Sequence, residues 1–268
     1  MKFISPGGWF SLEYPANWSE FEDSEETFLF YNPNQWNGNF RISAYKGETK
    51  DYASLCVAYE LKNNPTSSPV QVGDWACAYS AETFQEEGAW YTTHIWVTGK
   101  SDICFECSFT VAKGSARNAA EDILRTLKIR TGKEGKEIIP IRVLEIGEVN
   151  AAFEWASATI KKNLTKDFTS QEEDIVKLQA LVDGGKIQSN QRTAWESIGL
   201  AFGSILENEM EGMTWVSVID GHHEYAALQF GDFLVNPAHW VWSKAKVQQS
   251  IDLKAEFSRI KEEVEKRL

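Results

Sequence analysis

The chain is poor in the residues from which most sites and frameworks are built. Its 268 residues hold only four histidines, four cysteines, seven prolines and three methionines. The cysteines, Cys56, Cys77, Cys104 and Cys107, all fall in the first half. Cys104 and Cys107 form a CxxC, but they lie in the alternating run Ile103-Cys104-Phe105-Glu106-Cys107-Ser108-Phe109. Residues three apart on a strand point to opposite faces, so the sulfurs should diverge as buried structural thiols. No second CxxC or suitably spaced His pair completes a zinc site.

Long apolar runs are missing too. Nothing approaches the ~20 residues of a membrane helix, and MKFISPGGWF lacks the continuous apolar stretch of a signal peptide. The expectation is a soluble cytoplasmic protein without membrane insertion, although a processed mature form would read the same way. There is no GxSxG elbow, no GxxxxGK[ST] loop and no GxGxxG opening a helix. No cofactor is therefore expected. Positive charge is short as well: the net charge is −12, spread over both halves. Such a surface repels phosphate backbones and anionic headgroups, which argues against nucleic acid and membrane surfaces as partners.

What is present is apolar content of 43% and 11 tryptophans, enough for two cores. Residues 9–14 alternate, and Thr27–Tyr31 and Phe40–Tyr45 read as further strands. The acidic run from Glu20 to Glu26 reads as a charged turn without the spacing of a calcium loop. A helix from about Asp51 should carry Tyr52, Leu55, Cys56 and Tyr59 at i, i+3, i+4, i+7. Three long strands follow, Asp74–Phe84, Ala89–Thr98 and Asp102–Val111. Ser115 then caps a helix whose Ala120, Ile123, Leu124 and Leu127 face inward. His94, between Trp90 and Trp96 on one face, reads as a sheet histidine.

The segment Gly8-Trp9-Phe10-Ser11-Leu12-Glu13-Tyr14-Pro15-Ala16-Asn17-Trp18 resembles the opening of PsbP-like domains, and the order of elements to about residue 130 is similar to that α/β/α sandwich. The resemblance implies an antiparallel sheet with flanking helices and a binding role. It brings no catalytic residue with it, and fold alone does not fix function.

Residues 131–144 read as a linker, charged and glycine-rich at first, with Ile138–Leu144 extended. A second α+β domain over 145–268 is expected to hold three helices, a three-stranded meander and two more helices. Val149, Ala152, Phe153, Ala156 and Ile160 mark the first inward stripe. Ser170 and Glu173 suggest a capping box for the second helix. Gly199 and Gly203 in the third suggest that another backbone comes close. Asn236 and Pro237 should start the helix carrying His239. Through Leu200-Ala201-Phe202-Gly203, the Trp215 strand, the Tyr225 strand and the Pro237 helix start, this half resembles a bacterial domain of unknown function found beside PsbP-like domains.

Two functional readings are open to such a chain. The first is a non-enzymatic protein-binding module, an adaptor, chaperone or immunity-like factor, using the sheet face and exposed Trp36, with Trp240 and Trp242 as further contact candidates. The alternative takes His222, His223, Glu224 and His239 as a metal-binding or metal-assisted hydrolytic cluster.

Overall fold

The computed structural model describes all residues except Glu25, Glu26 and His222, and the side chains of residues 22–24. The chain forms two compact units, residues 1–134 and 135–268.

In the first unit the chain runs β1 (Lys2–Ile4), β2 (Phe10–Glu13), β3 (Ser19–Ser24), β4 (Thr27–Tyr31), β5 (Asn39–Lys46), α1 (Tyr52–Asn63) and β6 (Ser68–Val72). It continues with β7 (Trp75–Glu86), β8 (Ala89–Lys100), β9 (Ile103–Ala112), α2 (Asn118–Thr126) and β10 (Lys128–Ile129). Seven strands form an antiparallel sheet in the order β3-β4-β5-β9-β8-β7-β6, and β1, β2 and β10 form a smaller one. Part of the acidic run is therefore strand β3 rather than a turn, with Ser19 to Phe21 paired to Tyr31 to Leu29. Its last two residues, Glu25 and Glu26, lie outside the described residues.

Alternation along β5 and β9 sends Phe40, Ile42, Phe105, Cys107 and Phe109 to one face, where they meet Phe3, Phe10 and the Ala120–Ile123–Leu124 stripe of α2. The helix α1 serves the opposite face. Its inward residue is Ala53, whereas Leu55 and Tyr59 stand exposed, so the expected stripe is rotated. The reason is steric. A Cβ on Gly99 would sit 2.9 Å from the Ala53 Cβ, and one on Gly47 would strike the Tyr52 ring. Small residues at the closest approach, not the largest apolar ones, set which way the helix faces.

The two sulfurs of the CxxC diverge as alternation requires, Cys107 entering the core beside Trp96 and Cys104 lying on the α1 face. Burial, then the neighbouring Cys56, pushes the Cys104 thiol up to about 12, and burial raises that of Cys107 well above the usual thiol range. Neither is a thiolate near neutrality.

The second unit contains β11 (Glu137–Pro140), α3 (Val143–Leu164), α4 (Ile175–Asp183), α5 (Arg192–Glu209), β12 (Thr214–Asp220), β13 (His223–Phe230), β14 (Phe233–Val235), α6 (Pro237–Ala245) and α7 (Leu253–Glu265). Its sheet has four strands in the order β11-β12-β13-β14. The meander expected from sequence thus gains β11 at its edge, Ile139 lying opposite Ser217. The capping box sits one residue later than expected, between Gln171 and Asp174.

The core of this unit gathers Ile160, Leu178, Phe202, Ile205, Leu228, Val241 and Ile260 from α3 to α7 and the sheet. At its centre α5 crosses α6. A Cβ on Gly199 would stand 2.4 Å from the Pro237 carbonyl oxygen, and one on Gly203 2.5 Å from the Trp215 ring. Asn236 caps α6 by accepting the His239 N–H at 2.9 Å.

Candidate functional site

Three aromatic side chains of the first unit, Trp36, Phe84 and Tyr91, meet beside the β7–β8 hairpin of its large sheet. The loop after β4 is held by an Asx turn in which buried Asn32 accepts the N–H groups of Asn34 and Gln35 at 3.0 and 3.3 Å. Gly38 then passes so close to Phe109 that a Cβ would lie 2.4 Å from its ring. Between these anchors Trp36 is left 45% exposed, with its ring edge-on to Tyr91 at 5.8 Å. Phe84, itself 38% exposed, lies 5.8 Å from the same Tyr91 ring.

Trp36, Tyr91 and Phe84 therefore form one contiguous aromatic patch. On the same sheet face the Thr93 and Thr110 hydroxyls bond at 2.8 Å and those of Thr27 and Ser43 at 2.7 Å, while Arg41 and Glu106 are exposed. Trp90 is exposed on the opposite face, with the Lys113 ammonium 4.8 Å above its ring. His94 is tied to the Tyr79 hydroxyl at 2.8 Å, and burial lowers its pKa, with Arg117 adding to the effect.

Sequence reasoning named Trp36 and missed Phe84 and Tyr91. Their signal was the length of the β7–β8 hairpin, which carries both aromatics beyond the reach of β6.

Trp240 and Trp242 are half-buried against the core of the second unit, and Trp240 lies 6.4 Å from Phe202 beneath the Lys244 ammonium. They are packing residues more than free contacts.

The charged candidates of this unit are dispersed or already committed. His223 is the first residue of β13, opposite Asp220, and exposed; His239 is exposed on α6. Glu224 accepts from Arg142 Nη2 at 2.9 Å. The guanidinium of Arg142 is 1% exposed and forks onto Glu145, whose carboxylate also accepts the Ser217 hydroxyl at 2.7 Å. Burial pulls the Arg142 pKa down, but the hydrogen bonds and charges of Glu145 and Glu224 outweigh that pull and leave it raised. Burial, with the charge of Glu145, likewise raises Glu148. Among the described residues no three His, Cys, Asp or Glu side chains gather where they could hold a metal ion. His222 lies outside those residues.

Two surface hollows also belong to the second unit. One of about 840 Å³ is lined by Trp195, Gln188, Asn190, Gln248 and Ile251. The other, about 460 Å³, is bordered by Val149, Phe153, Glu207 and Trp215.

These features define a two-unit α+β protein with an aromatic patch on the large sheet of its first unit. The chain belongs to the family defined by the Domain of unknown function DUF3805, matched over residues 1–150. The Domain of unknown function DUF3806 matches residues 174–257. A protein of Bacteroides thetaiotaomicron VPI-5482, solved by crystallography at 1.50 Å, is 46% identical over 96% of each chain, with a TM-score of 0.93.

Cyanobacterial PsbP (CyanoP) from Synechocystis sp. PCC 6803 is 10% identical over 48% of this chain and 92% of its own, with a TM-score of 0.27. LpqN, involved in cell envelope biogenesis of Mycobacterium tuberculosis, is 16% identical over 49% of this chain and 91% of its own, with a TM-score of 0.32. Neither score is high enough to attach this chain to either protein. No curated protein matches the chain. No helix among the described residues is long and apolar enough to cross a membrane.

Proposed function

We propose that the chain is a non-enzymatic protein-binding module, an adaptor, chaperone or immunity-like factor, that engages its partner through the aromatic surface of the first unit. The observation that carries this reading is the contiguity of Trp36, Tyr91 and Phe84 on an exposed sheet face. Large aromatics give up little conformational freedom on docking and dominate interface energetics. The first unit is read as a PsbP-like domain on its Gly8-to-Trp18 segment and its order of elements. The four cysteines, all free thiols, favour a reducing compartment such as the cytoplasm.

The test is partner capture from the organism's own extract by the full-length chain, compared with Trp36→Ala. The expected result is a specific protein retained by the native chain and lost, by tenfold or more, from the variant. Equal retention by both would remove the aromatic surface from the reading. Nothing in the described part of the second unit favours the metal alternative.

A further inference from the structure

The hairpin that carries Phe84 has a second property. The strand β6 pairs with β7 only as far as Ser68 opposite Tyr79, whereas β7 continues to Glu86. From Ser80 onward the outer side of β7 has no neighbouring strand among the described residues. Residues 81–90 are all exposed in the full chain.

Which backbone groups face outward depends on the turn. Glu87 and Gly88 have φ of 49° and 84°, the left-handed pair of a two-residue hairpin, and they bring Glu86 opposite Ala89. Such a turn makes Glu86 and Ala89 a hydrogen-bonded pair, and the pairs alternate from there. Phe84 and Glu82 therefore bond inward to β8, while Ala81, Thr83 and Gln85 turn their N–H and C=O groups to the bare edge. The same alternation hands Tyr79 to Ser68 of β6, as the register requires.

The side chains give the edge a charge. Glu82, Phe84 and Glu86 share the face on which Tyr91 and Thr93 lie, and Glu87 follows at the tip. A second copy of this chain would set the same acids against one another, and each copy carries −12 overall. Acids on a bare edge deter such self-pairing, and they leave the edge open to a strand of opposite charge.

We propose that β7 accepts an extended basic segment of a partner protein as an added strand. The segment bonds to the backbone of Ala81, Thr83 and Gln85, sets an apolar side chain against Phe84, and sets Lys or Arg against Glu82 and Glu86. This rests on the protein-binding reading of the aromatic patch and names the chemistry of the partner for the same surface.

The probe is a capped seven-residue peptide, Thr-Lys-Thr-Val-Thr-Lys-Thr, titrated into the full-length chain beside a version with Glu in place of Lys. The expected result is binding of the Lys peptide about tenfold tighter than the Glu peptide, from two favourable cross-strand charge pairs replacing two repulsive ones. Binding should slow amide exchange at Ala81, Thr83 and Gln85. Thr83→Pro removes an N–H that points away from β8, so the hairpin survives and the peptide should be lost.

Binding without amide protection, binding that survives in folded Thr83→Pro, or no binding of either peptide at millimolar concentration each overturns the proposal. Trp36→Ala, which leaves these backbone groups intact, is carried through the same titration. Unchanged partner capture by that variant would sink the aromatic reading alone, and missing edge protection would sink the strand reading alone.

Discussion

Gly199→Ala is expected to destabilise the second unit by about 2 kcal/mol or more, although the same change in the middle of an ordinary helix gains about 1 kcal/mol. The sign reverses because the new methyl has nowhere to go. It would stand 2.4 Å from the Pro237 carbonyl oxygen and 2.6 Å from the Ala238 Cα, and both are backbone atoms of α6. A side chain at this distance would rotate away, but a helix start must move as a whole, disturbing the Asn236 cap and the Trp240 contact with Phe202. Gly147 supplies the internal control: it lies in α3, and a Cβ there meets nothing within 4 Å. Gly147→Ala should stabilise by up to about 1 kcal/mol. Urea unfolding of both variants reads the difference, and a neutral or stabilising Gly199→Ala would mean that α5 and α6 do not approach as described.

The second large effect is expected at Arg142. Its guanidinium is buried, and it is the cation that the buried carboxylate of Glu145 faces at close range. Arg142→Met leaves that carboxylate in the interior with the Ser217 hydroxyl still donating to it and its cation gone. Breaking a buried pair from one side typically costs about 3–5 kcal/mol, whereas replacing both partners by apolar groups is often close to neutral. The double variant Arg142→Met with Glu145→Met should therefore recover at least half of the loss. Glu224 contributes little to this balance, because its side chain retains 17% exposure and can be hydrated. A single variant that unfolds within about 1 kcal/mol of the native chain would show that the network is dispensable.

How much of this was legible depended on the range over which each interaction acts. The hairpins of β7, β8 and β9 could be read because aromatic alternation and glycine-bearing turns are local signals. Gly199 and Gly203 announced a close approach because helix interiors tolerate glycine poorly, although only the fold shows that Gly199 meets backbone and Gly203 the Trp215 ring. The orientation of α1 was misread because its apolar spacing was sound, while the choice of face was made by Gly47 and Gly99 on other elements.

Glu137–Pro140 looked like linker because four residues carry almost no periodic signal and its partner strand lies far along the chain. Of the aromatic surface, Trp36 was legible as a tryptophan in a polar loop. Phe84 and Tyr91 were hidden inside what read as ordinary strand alternation. The Arg142 network left one trace, an arginine in the otherwise apolar run Ile138–Leu144, but its carboxylate partner Glu224 comes from beyond three helices.

The separation between β11 and β12 also orders events in time. The Arg142 N–H and the Ser217 hydroxyl that accepts it are 75 residues apart, and α3, α4 and α5 lie between them. Closing that loop costs chain entropy before any contact between β11 and β12 rewards it, so the docking of β11 onto the sheet is a late step of assembly, whereas consecutive hairpins such as β7–β8–β9 and β12–β13–β14 can form as soon as they are synthesised. On a ribosome β11 emerges early and waits, its edge unsatisfied, until β12 has followed α5 out.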